Sequence, residues 1–228
     1  MNVFSAFEAP RHVRRVGPGL AAKTMLEQLW YTKVFLGLRC DLETLPEVRP
    51  AKIAVAMEPR STDTYDGFEE ERRRARGEDY LEVLLRIGLC DAGVPTLYAS
   101  ELDGAPTYCQ WLIRAADQDV MHAHASGRYP HLADDEVLLE GAYTFLAFRR
   151  MGVMADGMAQ LLRIARDEGA SAALTYVTAD NTASLRGCAA VGFTVDHVRR
   201  SIRRFGLRRS PAQPLDERTR ELWRAATS

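Results

Sequence analysis

The sequence predicts an α/β domain of the α+β kind, with a central mixed, mostly antiparallel sheet flanked by helices. Three observations carry that expectation. Residues 136–190 spell out a strand, a helix, a second strand and a second helix. Two short apolar runs flank Asp103-Gly104, a dipeptide that tolerates positive φ and suits a tight hairpin. The chain has 228 residues and 46% apolar content, enough to bury one sizeable core.

Residues 1–19, with Pro10, Gly17, Pro18 and Gly19, read as a loose leader before a domain spanning 20–209. Residues 20–29 have helical character, and residues 31–38 and 51–57 read as short strands separated by the Pro46 and Pro50 loop. A helix, or two broken at Gly77, is expected over residues 66–89. It carries Glu69 to Glu71 followed by Arg72 to Arg74, whose pairs four apart contribute about 0.3 kcal/mol each and mark a solvated face. The hairpin strands occupy residues 96–101 and 107–113, and a polar loop fills 114–135. A strand over 136–145 then feeds a glycine turn and a helix over 153–167. That helix places Met154, Met158, Leu161, Leu162 and Ile164 on a 3.6-residue period, with Gly169 as its C-cap. A strand over 172–178, a helix over 182–190 and a strand or hairpin over 193–207 follow. The tail, residues 210–228, is expected to end in a short helix docked through Leu222 and Trp223.

Cys40, Cys90, Cys109 and Cys188 are widely separated, without C-x-x-C spacing, which favours a reducing compartment. The first twenty residues lack the apolar run of a secretory signal, and no eighteen apolar residues follow one another, so a soluble cytoplasmic protein is expected. Positive and negative charges nearly cancel, 30 against 31, and predict neither nucleic acid nor membrane as a partner. The Arg-rich stretch over 198–209 reads as edge-strand charge that discourages aggregation. His122, His124 and His131 form an H-x-H with a third His nearby, but no cysteine or acidic cluster at ligand spacing completes a metal site, although Asp134, Asp135 and Glu136 follow soon after. The segment reads as a polar loop lining the mouth of a site.

The most informative segment is residues 149–193. Arg149, Gly152 and the small Ala155 stand just before an amphipathic run. The first turn of a helix leaves N–H donors unpaired and carries partial positive charge, and glycine lets the backbone approach closely, so the turn is a candidate diphosphate site. Arg149, Gly152 and Met154 fall at the three slots of an Arg/Gln-x-x-Gly-x-Gly/Ala motif, with Met154 departing from it. From Asn181, a second block places Ser184 three on, Cys188 seven on, and Gly192-Phe193 at eleven and twelve. In these two blocks the chain resembles the GNAT superfamily of N-acetyltransferases, in which the seventh position is commonly aromatic.

The resemblance implies a GNAT-like sheet in which the strands over 136–145 and 172–178 splay apart to admit acetyl-CoA. Backbone groups of Tyr143, Thr144 and Phe145 would pair with its amides. Arg149, Arg150, Met151, Gly152, Val153, Met154 and Ala155 would hold its phosphates, with Asn181 and Ser184 adding polar contacts. Asn181 also suits a helix N-cap. Acetyl transfer to a primary amine needs a base, for which the resemblance points to this strand, with Glu140 ahead of Glu136 and His124 as an alternative. Cys188 holds the slot of the usual proton donor, where an apolar filler is equally in keeping, and Tyr143 and Tyr176 are its substitutes. The rival readings are transfer of a longer acyl group, over a floor of Met154 and Met158, and an acyl-CoA-binding module without turnover. A homodimer is implied by the resemblance alone.

Overall fold

The computed structural model describes residues 14–124, 129–205 and 207–227. In chain order its elements are α1 (Pro18–Leu29), β1 (Trp30–Asp41), β2 (Glu58–Arg60), α2 (Phe68–Arg74), α3 (Gly77–Asp91), β3 (Leu97–Leu102), β4 (Ala105–Arg114), α4 (Gln118–His124), β5 (Glu136–Thr144), α5 (Val153–Asp167), β6 (Ala172–Thr178), α6 (Thr182–Ala190), β7 (Thr194–Arg204), β8 (Leu207–Arg209), β9 (Ala212–Gln213) and α7 (Glu217–Thr227). Among the described residues the strands form one sheet in the order β2-β3-β4-β5-β6-β1-β7-β8, with β9 also on β7. Every pairing is antiparallel except β5 with β6. That pair is parallel because α5 carries the chain back across the sheet, as a parallel connection requires.

Strand alternation gives the sheet two apolar faces, and each is covered. Val137, Leu139, Leu36 and Leu38 pack with Met158, Leu161, Leu162 and Ala165 of α5. On the opposite face Leu138, Leu174, Trp111 and Ile113 meet Phe68 of α2 with Tyr80, Val83 and Leu89 of α3. Each fully buried side chain of this size contributes roughly 1.5–3 kcal/mol, so the two layers fix where α5 and the α2–α3 pair must lie. Left-handed glycines end two of the helices as the sequence leads one to expect. Gly169 follows α5 at φ 98° with Ala170 N–H bonded to Ala165 O, and Gly192 follows α6 at φ 99° with Phe193 N–H bonded to Cys188 O.

Several expectations need correction. Residues 51–57 form no strand. Much of their backbone is satisfied by side chains, with Ala51 N–H on Asp156, Met57 N–H and Val55 O on Gln160, and Ala56 N–H on Ser100, so a strap lies over α5 without a ladder. The helical break falls at Ala75 and Arg76, both extended, and Gly77 opens α3. Glu71 is buried and not part of the solvated charge run, whereas Arg72–Glu69 and Arg74–Glu70 are exposed pairs. The polar loop contains a 3₁₀ turn, Ala115–Asp117, and α4, and its residues 125–128 lie outside the described residues. Of the leader, residues 1–13 also lie outside them, and Pro18 and Gly19 begin α1. The strand or hairpin near the C-terminus is the β7–β8 hairpin. The tail helix α7 docks through buried Thr219 and Ala226 with Trp223 packed against the core, while Leu222 is 45% exposed. No helix among the described residues is long and apolar enough to cross a membrane.

At Gly157 α5 lies close against the sheet, where a Cβ would stand 2.6 Å from Cδ1 of the fully buried Tyr108. Alanine in a helix interior gains about 0.5–1 kcal/mol over glycine, but overpacking costs about 1–3 kcal/mol. Gly157→Ala is therefore expected to lower the urea midpoint, and an unchanged or raised midpoint would show that α5 sits less tightly than described.

Candidate functional site

The site begins with a bulge in β5. Trp111 pairs with Glu140 and Cys109 with Tyr143, so Gln110 alone opposes Gly141 and Ala142. Gly141 takes φ 67°, and a Cβ there would lie 2.7 Å from the Trp111 ring, so the position admits only glycine. A bulge bends its strand and adds twist. β5 and β6 pair only from Glu136↔Ala172 to Leu138↔Leu174, although β5 continues to Thr144 and β6 to Thr178. Past Leu138 the two strands splay into a wedge.

The wedge opens toward the end of β5, where the chain makes a 3₁₀ turn over Leu146–Phe148 and reaches α5. Arg150 adopts φ 64° and Gly152, the N-cap of α5, φ 84°. Gly152 offers no side chain to cap this helix, so the first-turn N–H groups get no acceptor from their own N-cap. Pro50 and Ala51 back the turn, with Ala51 Cα 3.3 Å from where a Gly152 Cβ would be, and Lys52 N–H bonds Met151 O.

The residues expected to hold a cofactor divide into two groups. Gly152, Val153 and Ala155 lie in the turn and first helical turn, with the Val153 side chain in the core. Arg150 is exposed beside them. Phe145 N–H goes to Thr107 O, and strand alternation turns the Thr144 N–H the other way, toward the wedge. Asn181 caps α6, accepting from Ser184 N–H at 3.1 Å. Others are committed elsewhere. Arg149 is ion-paired to Asp79 at 2.7 Å, and Met154 packs its sulfur 3.0 Å from the Cβ position of Gly187, filling the α5–α6 contact.

Among the catalytic candidates, Glu140 is half-buried at the start of the wedge, on the face shared with Leu138. The last β5–β6 pair is Leu138 with Leu174, and Tyr176 stands as far beyond it on β6 as Glu140 does on β5. The Tyr176 hydroxyl is buried without a hydrogen-bond partner among the described residues, and burial pushes its pKa up to about 12. Its ring sits 5.7 Å from Tyr129 and 5.6 Å from His197, with the Arg199 guanidinium over it. Glu136 is bonded to Arg39 at 2.5 Å. Tyr143 turns away from the wedge and donates to Glu71 at 2.9 Å, and burial with that carboxylate beside it raises the phenol well above its ordinary value. Cys188 is 1% exposed in the core, where burial lifts the thiol to about 12, as an apolar filler requires. His122 and His131 meet edge to face at 4.4 Å, and His122 Nε2 contacts Pro130 O. Among the described residues no group of three or more His, Cys, Asp or Glu converges as a metal-ligand set.

No family model and no curated protein matches the sequence. Solved structures do match by shape. A GNAT-family acetyltransferase from Colwellia psychrerythraea aligns with 79% of this chain at 13% identity and a TM-score of 0.50. A GCN5-related N-acetyltransferase from Sphaerobacter thermophilus aligns with 86% at 11% identity and a TM-score of 0.50. A glucosamine N-acetyltransferase region of a fungal multi-domain GH3 β-N-acetylglucosaminidase aligns with 81% at 12% identity and a TM-score of 0.52. The fold is that of the GNAT superfamily. The chain spans 59%, 57% and 22% of the lengths of these three proteins. At such identities the GNAT likeness is one of fold, and the second sequence block now has a physical account: Asn181 caps α6, Gly192 ends it, and Phe193 enters the core.

Not singled out from the sequence are Asp156 and Gln160, which hold the strap over 51–57, Glu71, which holds Leu146, and Arg86, which holds the bulge, all through backbone groups. A signal existed for Glu71, because Phe68, Glu71 and Ala75 follow helical spacing and share a buried face.

Cys188 at about 12 and Cys40 at about 11 stay protonated in the folded chain above the ordinary thiol value of 9.0, where unfolded thiols ionise. Thermal stability is therefore expected to hold up to pH 9 and to fall as pH rises from 9 through 12. A melting series over that range checks it, and Cys188→Ala should flatten part of the decline.

Proposed function

We propose that the chain is an acetyl-CoA-dependent N-acetyltransferase that moves an acetyl group directly to a primary amine. The observation that carries this reading is the wedge between β5 and β6 opening onto an uncapped helix start. The fold of the similar structures supports it at the level of acyl transfer. When bound, acetyl-CoA supplies an activated acyl group and a thiol leaving group.

The residues present fit such a ligand. The N–H groups from Gly152 to Ala155, at the positive end of the α5 dipole, are donors suited to a diphosphate. With Arg149 held by Asp79, exposed Arg150 and Lys52 are the cations beside that turn. The wedge-facing Thr144 N–H offers a strand-like partner to an extended amide chain. Asn181 and Ser184 already bond each other at the start of α6, so their part is to shape the far side of the wedge.

The nucleophilic amine must arrive unprotonated. Glu140, half-buried where the wedge begins, takes its proton. Across the gap, the unpartnered Tyr176 hydroxyl remains protonated at about 12 and donates a hydrogen bond to the departing sulfur. A soluble enzyme of the cytoplasm and a homodimer accord with this reading, and the acceptor is a small molecule or peptide amine.

Calorimetric titration with acetyl-CoA, followed by thiol release on an amine panel, tests the proposal. Absence of binding to the folded protein at hundreds of micromolar removes it, and binding without turnover converts it to an acyl-CoA-binding module. General base catalysis contributes about 10²–10⁴-fold, so Glu140→Gln should lower turnover at least about a hundredfold with acetyl-CoA affinity within about twofold. Tyr176→Phe should lower turnover about tenfold, the worth of one hydrogen bond of about 1.4 kcal/mol. An unchanged rate in Glu140→Gln moves the base to Glu136 or His124.

A further inference from the structure

Three polar ties run from the α2–α3 layer to the stretch of chain between the wedge and the start of α5. Glu71 accepts from the Tyr143 hydroxyl and from Leu146 N–H, and Asp79 accepts from Arg149. Arg86 of α3 reaches the bulge itself, donating from Nε to Gly141 O at 3.3 Å and from Nη2 to Ala142 O at 2.9 Å. Its side chain is 14% exposed, Glu82 holds the remaining Nη1, and the guanidinium carbon lies 5.7 Å from the Tyr143 ring centroid.

The two carbonyls that Arg86 takes belong to the two residues opposed by Gln110 alone. A bulge interrupts the ladder and leaves backbone groups that need a donor of another kind. If they lack one, β5 gains by closing the bulge and slipping one residue, which sends Tyr143 and Phe145 to the opposite face. Both are buried at 4% and 3%, and Phe68 stacks on Phe145 at 5.6 Å, so the slip is resisted by packing as well as by Arg86.

We propose that Arg86 is a positioning residue that locks the β5 bulge and so keeps the wedge open for the thioester. The inference rests on the acyltransferase reading above. A planar guanidinium places two N–H groups at a fixed separation on adjacent carbonyls, whereas a lysine ammonium is a point charge that serves one at a time.

The test compares Arg86→Met, Arg86→Lys and Glu82→Gln in the full chain. Amide hydrogen exchange across β5, melting temperature and calorimetric acetyl-CoA affinity are measured for each. Arg86→Met is expected to accelerate exchange at residues 140–144 at least tenfold beyond the change in β3 and β7, and to weaken acetyl-CoA affinity at least tenfold. Arg86→Lys should recover less than half of either loss on a logarithmic scale. Glu82→Gln, which spares both carbonyl bonds, should stay within about twofold of wild type in affinity. Equal acceleration throughout the sheet, or affinity that falls only in step with melting temperature, overturns the proposal and leaves Arg86 a general packing residue. If wild type itself fails to bind acetyl-CoA, the acyltransferase reading fails, and the exchange pattern alone then decides whether Arg86 holds the bulge.

Discussion

The pairing of β5 with β6 over three residues, and no further, is the constraint from which the rest of the architecture follows. Parallel strands in a covered sheet ordinarily continue their ladder, because each unpaired N–H or C=O in the interior costs about as much as a lost hydrogen bond. Here the extra residue at Gly141 and Ala142 breaks that continuity and sends β5 away from its neighbour. The same extra residue resets the alternation, so that Tyr143 and Phe145 join the face already occupied by Leu138. The bulge thus creates an opening within the sheet and still buries the side chains beyond it.

An opening in a sheet closes unless the segments on either side are held apart. On the β5 side the holding is polar, through Glu71, Asp79 and Arg86, and aromatic, through Phe68 on Phe145. On the far face the strap over residues 51–57 is tied to Asp156 and Gln160, which keeps the start of α5 in place without a capping side chain. Asp156 accepts from Ala51 N–H and from the Gln160 side chain, not from a backbone N–H of the first turn. A helix end left uncapped in this way is stabilised by an anion.

The late half of the chain was legible because its signals are local. The helix of α5, the strand of β6 and the helix of α6 follow from apolar period, glycine after each helix and an Asn cap, and each lies where the sequence puts it. The mixed sheet was also readable, from one hairpin and one strand–helix–strand unit. What escaped depends on distant partners. Residues 51–57 have the composition of a strand, yet their donors find side chains a hundred positions away. Glu71 looks like one charge among six until the fold sets Tyr143 against it. The bulge is invisible in sequence because Gly141 alone does not tell which strand it will oppose. Cys188, seven positions after Asn181, lies buried in the core, a setting that suits a small apolar filler.

A backbone amide titration with coenzyme A, read by nitrogen–proton correlation spectra of the assigned protein, addresses the central claim most directly. The account predicts that the largest shifts fall on Gly152 to Ala155 and on Thr144, with the β7–β8 hairpin unmoved. Shifts confined to surface arginines away from the start of α5, or none at millimolar ligand, would contradict it.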